Sequence, residues 1–322
     1  MNRPRYRSDC FAPKKKYILC INMSHCVCDG VGLKGYAYLL SAIYRNLQRN
    51  QEYIPEPNHR GNRSTSQVWK GLNLIEKAGT IFYKPKRKNI RGVDWSFPWC
   101  QTRAVQHSYI ISRSLPPARF EAIKNGSEYQ ATINDVILAA FYRAFYFSSE
   151  SKGMDKPILI PIDLRRYIKE KKANALCNLA SVYRIDIGKD VDPELKATLI
   201  KVLDNTEEMK KGCLILHGIP KFAFRFKICS YKKRMRSYLN EKIIFFPILT
   251  NIGKLDPEKL SYPDAKILDA YITASVFYHP TFSMAVSSYE KRLTFSIGFK
   301  GSESDKEIAE KFLDNFEREL PS

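Results

Sequence analysis

The sequence predicts an α/β protein in which helices and strands form mixed layers. Short apolar runs typical of strands are interspersed with longer segments whose apolar residues recur at helical spacing. The chain has 322 residues, enough for two domains or for one domain of two lobes, and 44% of them are hydrophobic, as in globular proteins. The two patterns follow each other irregularly, which argues against a regular βαβ alternation.

The first predicted elements surround a histidine. A compact apolar run at 17–23 predicts a buried strand, and the segment His-Cys-Val-Cys-Asp-Gly follows it at 25–30. Residues 31–47 place their apolar side chains on one helical face, which predicts an amphipathic helix. A polar loop, a short helix and an exposed connection between lobes are then expected at 49–66, 67–77 and 84–99.

The rest of the chain continues to mix the two kinds of element. Strands are predicted at 105–112, 157–162, 179–187, 267–277, 282–288 and 293–299, with a further apolar run at 243–249. Helices are predicted at 116–126, 132–147, 194–211 and 304–320. Asn134 and Asp135 are candidate caps for the second of these helices, and residues 289–292 predict a hairpin turn.

The chain is strongly basic, with 53 Lys and Arg against 33 Asp and Glu, a net charge of +20. Such a charge favours anionic partners: nucleic acid, anionic lipid, a phosphate-bearing cofactor or an acidic carrier protein. It is spread over short runs such as 84–88 and 232–236, which a solvated lysine-rich surface would also show. Because no nucleic-acid-binding module accompanies it, we expect no nucleic acid partner.

Cysteine spacing and hydropathy argue against three further classes of protein: disulfide-linked, metal-binding and membrane-spanning. The eight cysteines are irregularly spaced in a large chain, so we expect no disulfide framework. His25, Cys26 and Cys28 lie close together, but no CxxC pair exists, so we expect no metal site. No apolar stretch reaches the roughly 20 residues of a membrane helix. No apolar segment follows the basic N-terminus, so we expect a cytoplasmic location.

His25 lies where the predicted strand gives way to a glycine-bearing turn. Neutral imidazole accepts a proton at physiological pH, so His25 is a candidate general base. A purely structural histidine at a strand end is the alternative. Asp29 either orients this histidine or pairs with a cation to hold the loop in shape, and Gly30 would let the chain turn tightly.

These residues resemble a known superfamily, which contains chloramphenicol acetyltransferase, alcohol acetyltransferases and the condensation domains of nonribosomal peptide synthetases. Its signature, His-x-x-x-Asp-Gly, matches His25, Asp29 and Gly30, and Ser24 in place of a second histidine suits the alcohol acetyltransferase branch. Further segments similar to the family follow in the family's order at 132–140, 161–166, 178–181, 251–253 and 292–298. No GxSxG elbow or GxxxxGK[ST] loop supports a serine hydrolase or a nucleotide-triphosphate enzyme.

The resemblance implies a two-lobed sandwich, similar to chloramphenicol acetyltransferase, with mixed sheets and a central cleft that holds His25. In the family the histidine motif lies much farther into the chain, so we expect the N-terminal lobe to be incomplete. Residues 1–95 are interpreted as the remnant of that lobe and residues 96–322 as the C-terminal lobe, with the crossover between lobes near 84–104.

The resemblance also implies acyl transfer from an acyl-CoA thioester to an alcohol or amine acceptor, with no covalent enzyme intermediate. His25 would act as the general base, and acyl-CoA would be a co-substrate, with no bound cofactor. Asp29 would form a structural salt bridge with Arg165. Asn178 and Asn251 would serve the substrate or the oxyanion, Asn251 as part of the channel wall. The other reading of Asn178 is a turn residue that opens a strand.

Two alternatives stay open. The chain could be a condensation-type domain that uses thioesters of an acyl carrier protein. No carrier or adenylation segment flanks the motif region, which favours a free-standing enzyme. It could also be a truncated, catalytically inactive binding protein, a reading motivated by the early position of the motif.

Overall fold

The helices and strands divide between two compact units, each discontinuous in sequence. Unit 1 comprises Met1–Leu72, Asp163–Ala180 and Lys254–Tyr271, and unit 2 comprises Asn73–Ile162, Ser181–Gly253 and Ile272–Ser322. The computed structural model describes residues 6–11, 16–82, 97–99, 107–125, 131–148, 157–188, 191–210, 216, 219, 228–233, 246–278 and 281–322. The domain boundary predicted after residue 95 falls outside these residues and stays a prediction.

Unit 1 opens with a β-ribbon whose exposure differs from the prediction. Strand β1 (Tyr6–Phe11) pairs antiparallel with β2 (Ile18–Met23), Tyr6 lying opposite Met23. The strand predicted at 17–23 is thus present, but its burial was predicted wrongly, since Ile18 is 54% and Leu19 45% exposed. Among the described residues β1 is the sole sheet partner of β2. An apolar run predicts a strand, but its burial requires a covering layer that local sequence does not specify.

Helix α1 (Gly30–Arg49) confirms the helix predicted at 31–47. Its packing in unit 1 is more polar than the apolar face predicted, because its buried residues are Gly32 and Ser41. The Ser41 hydroxyl donates to the carbonyl oxygen of Ser261 over 2.8 Å and accepts from the Ser261 N–H over 3.0 Å. This reciprocal pair fastens the middle of α1 to the segment after Lys254.

The single helix predicted at 67–77 is in fact two, α2 (Ser66–Lys70) and α3 (Leu74–Phe82). A new helix begins because Asn73 and Glu76 form a reciprocal cap. The Asn73 side chain accepts from the Glu76 N–H over 2.9 Å, and the Glu76 carboxylate accepts from the Asn73 N–H over 2.8 Å.

A mixed sheet is built mainly from residues of unit 2. Among the described residues seven strands form it, in the order β3, β9, β8, β6, β4, β5, with β7 beside β9. Strands β3 and β8 run antiparallel to β9, whereas β4 with β6 and β7 with β9 are parallel pairs, as the predicted mixed sheet requires. The strands are β3 (His107–Leu115), β4 (Ile158–Asp163), β5 (Ala180–Ile185), β6 (Ile248–Leu255), β7 (Phe277–Tyr278), β8 (Ser283–Tyr289) and β9 (Arg292–Gly301).

The turn predicted at 289–292 is confirmed. Glu290 and Lys291 join β8 to β9 with φ of 43° and 63°, the left-handed conformation that two-residue hairpins of type I′ need at both central positions.

The strand predicted at 267–277 is wrong except for its end, because only Phe277 and Tyr278 form β7. In unit 2 the chain instead bonds to serine side chains of the sheet: the N–H groups of Ile272 and Ala274 donate to the hydroxyls of Ser287 and Ser296. A Cβ on Gly298 would lie 2.7 Å from the carbonyl oxygen of Ala274. The segment therefore lies against the face of the sheet at Gly298, where no side chain blocks its approach. There its N–H groups bond to serine hydroxyls instead of to a neighbouring strand.

Besides α3, four described helices of unit 2 pack a core rich in aromatic side chains against the sheet. They are α4 (Pro117–Asn125), α5 (Ile133–Ser148), α6 (Leu195–Lys210) and α7 (Glu303–Glu319). Thr132 and Asp135 cap α5 reciprocally, so Asp135 is a cap as predicted.

Phe97 and Trp99 are 2% and 8% exposed and pack on Phe282, so the exposed connection predicted at 84–99 is wrong for these residues. The polar composition of 84–99 predicted exposure, but large aromatic side chains such as these gain more from burial than the composition of the segment indicates.

Among the helices that the described residues form, none is both long enough and apolar enough to cross a membrane.

Candidate functional site

Asp29, the N-cap of α1, is the centre of a buried polar cluster in unit 1. It is 5% exposed. One carboxylate oxygen, Oδ1, accepts from the N–H of Gly32 over 2.8 Å. The other, Oδ2, accepts from the Leu179 N–H over 2.6 Å and from Arg165 Nη1 over 2.9 Å. The carboxylate thus ties the start of α1 to two segments that are distant in sequence.

The guanidinium of Arg165 completes the cluster. Arg165 belongs to a short 3₁₀ helix (Leu164–Tyr167) that follows β4. Asp163 caps that helix by accepting from the Arg165 N–H over 3.0 Å. Nη1 also donates to Asp163 Oδ1, and Nη2 donates to the carbonyl oxygen of Cys177, each over 2.9 Å. The predicted contact between Asp29 and Arg165 is therefore present. The hydrogen bonds of the Asp29 carboxylate do not go to the ring of His25, so the structure favours the ion-pair interpretation of Asp29.

Charge and burial oppose each other at Arg165. Burial disfavours the guanidinium charge, but hydrogen bonds and attraction from Asp29 and Asp163 outweigh it and raise the pKa of Arg165. Asp29 and Arg165 are both buried, whereas the Asp163 side chain is 38% exposed. A buried pair of this kind fixes a local structure more than it adds stability, because the cost of burying two charges offsets most of their attraction.

Two thiols pack around the cluster. Burial and the nearby Asp29 charge raise the pKa of Cys28 to about 11, and burial raises the pKa of Cys177. Both thiols therefore stay protonated near neutral pH and are poor nucleophiles. Gly32 lies directly against the Cys28 side chain and the Cys177 carbonyl oxygen, since a Cβ there would be 2.6 Å from Cys28 Cβ and 3.2 Å from that oxygen.

His25 lies on an exposed turn, and the buried cluster around Asp29 follows it directly in the chain. The turn is closed by the Val27 N–H, which donates to the Ser24 carbonyl oxygen over 2.8 Å. The side-chain nitrogen of Asn178 lies 2.9 Å from His25 Nδ1 and donates to the His25 carbonyl oxygen over 3.0 Å. The predicted proximity of His25 and Asn178 is confirmed, and His25 is exposed rather than packed in a core.

Sequence reasoning missed two residues at this site. Arg63 Nη2 donates to the carbonyl oxygen of Val27 over 2.9 Å and so holds the turn from the side of the loop at 50–65. No local pattern singles it out among the many basic residues. Asp163 was detectable, because an Asp two residues before Arg165 is a typical cap of a short helix.

The remaining predicted residues have different surroundings. Gly30 is the first residue of α1 and forms no tight turn. Within the described residues the glycines with positive φ are Gly188 and Gly253, so Gly30 does not use the left-handed conformation that favours glycine, and its role in the site stays a prediction. Asn251 belongs to unit 2, where its side-chain oxygen accepts from the Gly253 N–H over 2.9 Å. The structure brings His25, Asp29, Arg165 and Asn178 together in unit 1, and the role of Asn251 stays a prediction.

The arrangement offers one solvent-accessible imidazole, whose neighbouring chain is fixed by a buried ion pair. Such a group can take up and return a proton without a large movement of its backbone.

The sequence matches no family model and no curated protein. Solved structures do match, over almost the whole chain. The epimerization domain from the third module of tyrocidine synthetase B is 14% identical, with a TM-score of 0.62, and the match covers 99% of this chain and 71% of that one. The first condensation domain of the CDA synthetase is 12% identical, with a TM-score of 0.58 and coverages of 99% and 67%.

An acetyltransferase is similar to the same degree. The trichothecene 15-O-acetyltransferase from Fusarium sporotrichioides is 13% identical, with a TM-score of 0.57, and the match covers 99% of this chain and 72% of that one. At these identities the likeness concerns the fold. The chain therefore shares the α/β fold of an epimerization domain, a condensation domain and an acetyltransferase, which confirms the predicted fold class and the predicted resemblance in fold.

Proposed function

We propose that this chain is an acyltransferase that moves an acyl group from a thioester to a hydroxyl or amine, with His25 as its general base. The observation that carries the proposal is the exposed imidazole of His25, on a turn fixed by the buried pair of Asp29 and Arg165. The fold shared with condensation domains and an acetyltransferase supports the same chemistry.

In the proposed reaction His25 removes the proton of the acceptor O–H or N–H while that atom attacks the thioester carbonyl carbon. A tetrahedral oxyanion forms, and hydrogen-bond donors stabilise it. The carbon–sulfur bond then breaks, and His25 returns the proton to the leaving thiolate. The products are an ester or amide and a free thiol, with no bond to the protein.

Asp29 and Arg165 act in this proposal by holding the turn. Their contacts reach Gly32 at the start of α1, Leu179 and the Cys177 carbonyl. The backbone that carries His25 is therefore held in place by several segments of unit 1. Rigid placement of the reacting groups contributes to the rate, because it removes the cost of orienting them during the reaction.

For the donor we propose acyl-CoA, as a co-substrate with no bound cofactor. The net charge of +20 would attract the phosphates of coenzyme A. A carrier-protein thioester is the second candidate, and the likeness to an epimerization domain and a condensation domain of peptide synthetases favours it. The cytoplasmic location stays a prediction.

The test is thiol release from acyl-CoA and acyl-carrier-protein donors, with alcohol and amine acceptors, by wild type and the variant His25→Ala. We expect the variant to be slower by roughly 10²- to 10⁴-fold, the typical contribution of a general base. His59→Ala is the matched control, because His59 is another exposed histidine of unit 1. We expect its rate to equal that of wild type.

Equal rates for His25→Ala and wild type would rule out His25 as the base. If no donor is turned over, but acyl-CoA binds in a titration, the chain is a binding protein with this fold.

A further inference from the structure

The side-chain amide of Asn178 has a fixed orientation. Its oxygen accepts from the Ala180 N–H over 3.3 Å, and its nitrogen donates to the His25 carbonyl oxygen over 3.0 Å. A backbone N–H can only donate and a carbonyl can only accept, so the two contacts independently require the same placement of oxygen and nitrogen.

This orientation determines which nitrogen of His25 carries the hydrogen. The Asn178 nitrogen has two hydrogens and cannot accept. One hydrogen goes to the His25 carbonyl, and the other points to Nδ1, 2.9 Å away. Nδ1 must therefore be the acceptor and carry no hydrogen. A neutral imidazole has one N–H, so in this state it is on Nε2.

We propose that Asn178 is a positioning residue that holds His25 in the tautomer with the hydrogen on Nε2. In that tautomer Nε2 is a donor, while the lone pair of Nδ1 is occupied by Asn178. His25 can accept a proton through Nε2 only after Asn178 releases Nδ1 and the hydrogen moves there. The free protein is thus held in a resting state, a consequence that rests on the proposed role of His25 as base.

The same contacts redefine the role of Asn178. Both of its amide hydrogens are directed at His25, so in this arrangement it has none to donate to an oxyanion. Its position is also set by the buried cluster, because the next residue, Leu179, donates its N–H to Asp29 over 2.6 Å. The Asp29 carboxylate therefore helps to place Asn178 through its hydrogen bond to Leu179, although the hydrogen bonds of that carboxylate do not go to the ring of His25.

The tautomer can be observed directly by nitrogen NMR of the full chain labelled with ¹⁵N-histidine, recorded without donor or acceptor where the ring is neutral. The variant His25→Gln identifies the His25 signals among the five histidines. We expect the wild type to carry its hydrogen on Nε2, with Nδ1 showing the shift of a nitrogen that accepts a hydrogen bond. A hydrogen on Nδ1 in the wild type would overturn the proposal.

Three variants separate positioning from a general effect on structure. In Asn178→Ala, Nδ1 should lose the shift caused by the accepted hydrogen bond. In Asn178→Asp, the carboxylate can only accept, so we expect the hydrogen to move to Nδ1. Asn174→Ala is the control, because Asn174 lies in the same segment but its side chain bonds to the Asn62 N–H instead. If His25 signals are unchanged in both Asn178 variants, Asn178 does not set the tautomer.

An activity comparison tests the resting state separately. We expect Asn178→Asp to release thiol faster than Asn178→Ala, because in the Asp variant the hydrogen lies on Nδ1 and Nε2 can accept. Equal rates would overturn the resting state. If the wild type turns over no donor, the proposed function fails, whereas the NMR result on the tautomer stands by itself.

Discussion

At the scale of single residues, the pair of Asp29 and Arg165 has the largest structural role in unit 1. The pair is buried, and every partner of the Asp29 carboxylate belongs to a different segment of the unit: α1, the 3₁₀ helix and Leu179, the residue before β5. Ion pairs in this setting are sensitive to the loss of one partner, because a charge left alone in a buried site is poorly solvated.

The change Asp29→Ala should lower the free energy of unfolding by roughly 3–5 kcal/mol, because it removes the buried partner of Arg165. It leaves the guanidinium with the more exposed Asp163 as its charge partner, and it removes the acceptor of the Gly32 and Leu179 N–H groups. Asp163→Ala is the matched control, because Asp163 binds the same guanidinium with a side chain that is 38% exposed. The variant Asp163→Ala should lower the free energy of unfolding by about 1 kcal/mol or less, as for exposed ion pairs. Urea denaturation of the full chain measures both, and equal losses for the two variants would contradict the structural role of the buried pair.

At the scale of elements, α1 contains a glycine that packing requires and one that it does not. A Cβ on Gly32 would lie 2.6 Å from Cys28 Cβ and 3.2 Å from the Cys177 carbonyl oxygen. A Cβ on Gly35, one turn further along the same helix, has nothing within 4 Å. Glycine at the first position allows the helix to approach the buried cluster, whereas at the second it only weakens the helix.

Replacement of these two glycines by alanine should therefore have opposite effects on stability. Gly32→Ala should lower the free energy of unfolding by about 1–3 kcal/mol, because the added methyl group overpacks a site with rigid neighbours. Gly35→Ala should raise it by roughly 0.5–1 kcal/mol, the difference in helix propensity. Thermal and urea unfolding compare the variants, and a destabilised Gly35→Ala would show that α1 has a neighbour at that position.

At the scale of the whole molecule, most of the described aromatic side chains that are fully buried lie in unit 2. Phe282 is 1% exposed and contacts the rings of Phe97, Phe145 and Phe312, at centroid distances of 4.3, 5.6 and 4.9 Å. These rings come from three different parts of the chain, so their packing joins the sheet to α5 and α7.

The variant Phe282→Ala should lower the free energy of unfolding by roughly 3–5 kcal/mol, through lost burial and the cavity that remains. Phe147→Ala removes the same side chain from the end of α5, where it is 50% exposed. We expect that control to lose about 1 kcal/mol or less, including its cation–π contact with Arg143. Denaturation followed by far-UV circular dichroism gives both values. A loss at Phe282 no larger than at Phe147 would place the stabilising core elsewhere.

The sequence by itself determined the class of fold, most of the elements and four polar residues of the site, His25, Asp29, Arg165 and Asn178. The helices at 30–49, 133–148, 195–210 and 303–319 could be predicted because the spacing of apolar residues and the caps are local signals. The hairpin at 289–292 is equally local. The motif with His25 and Asp29, and the link of Asp29 to Arg165, followed from the resemblance to a superfamily and not from any pattern of spacing.

Tertiary structure alone decided what covers each element and which side chains meet. It exposes β2, buries Phe97 and Trp99, and replaces a predicted strand with a segment that bonds to serine hydroxyls above Gly298. It also places both amide hydrogens of Asn178 on His25, across 153 positions of sequence. Periodicity reports the preference of one segment for a local shape, whereas burial and hydrogen bonding depend on a second segment whose position the first does not encode.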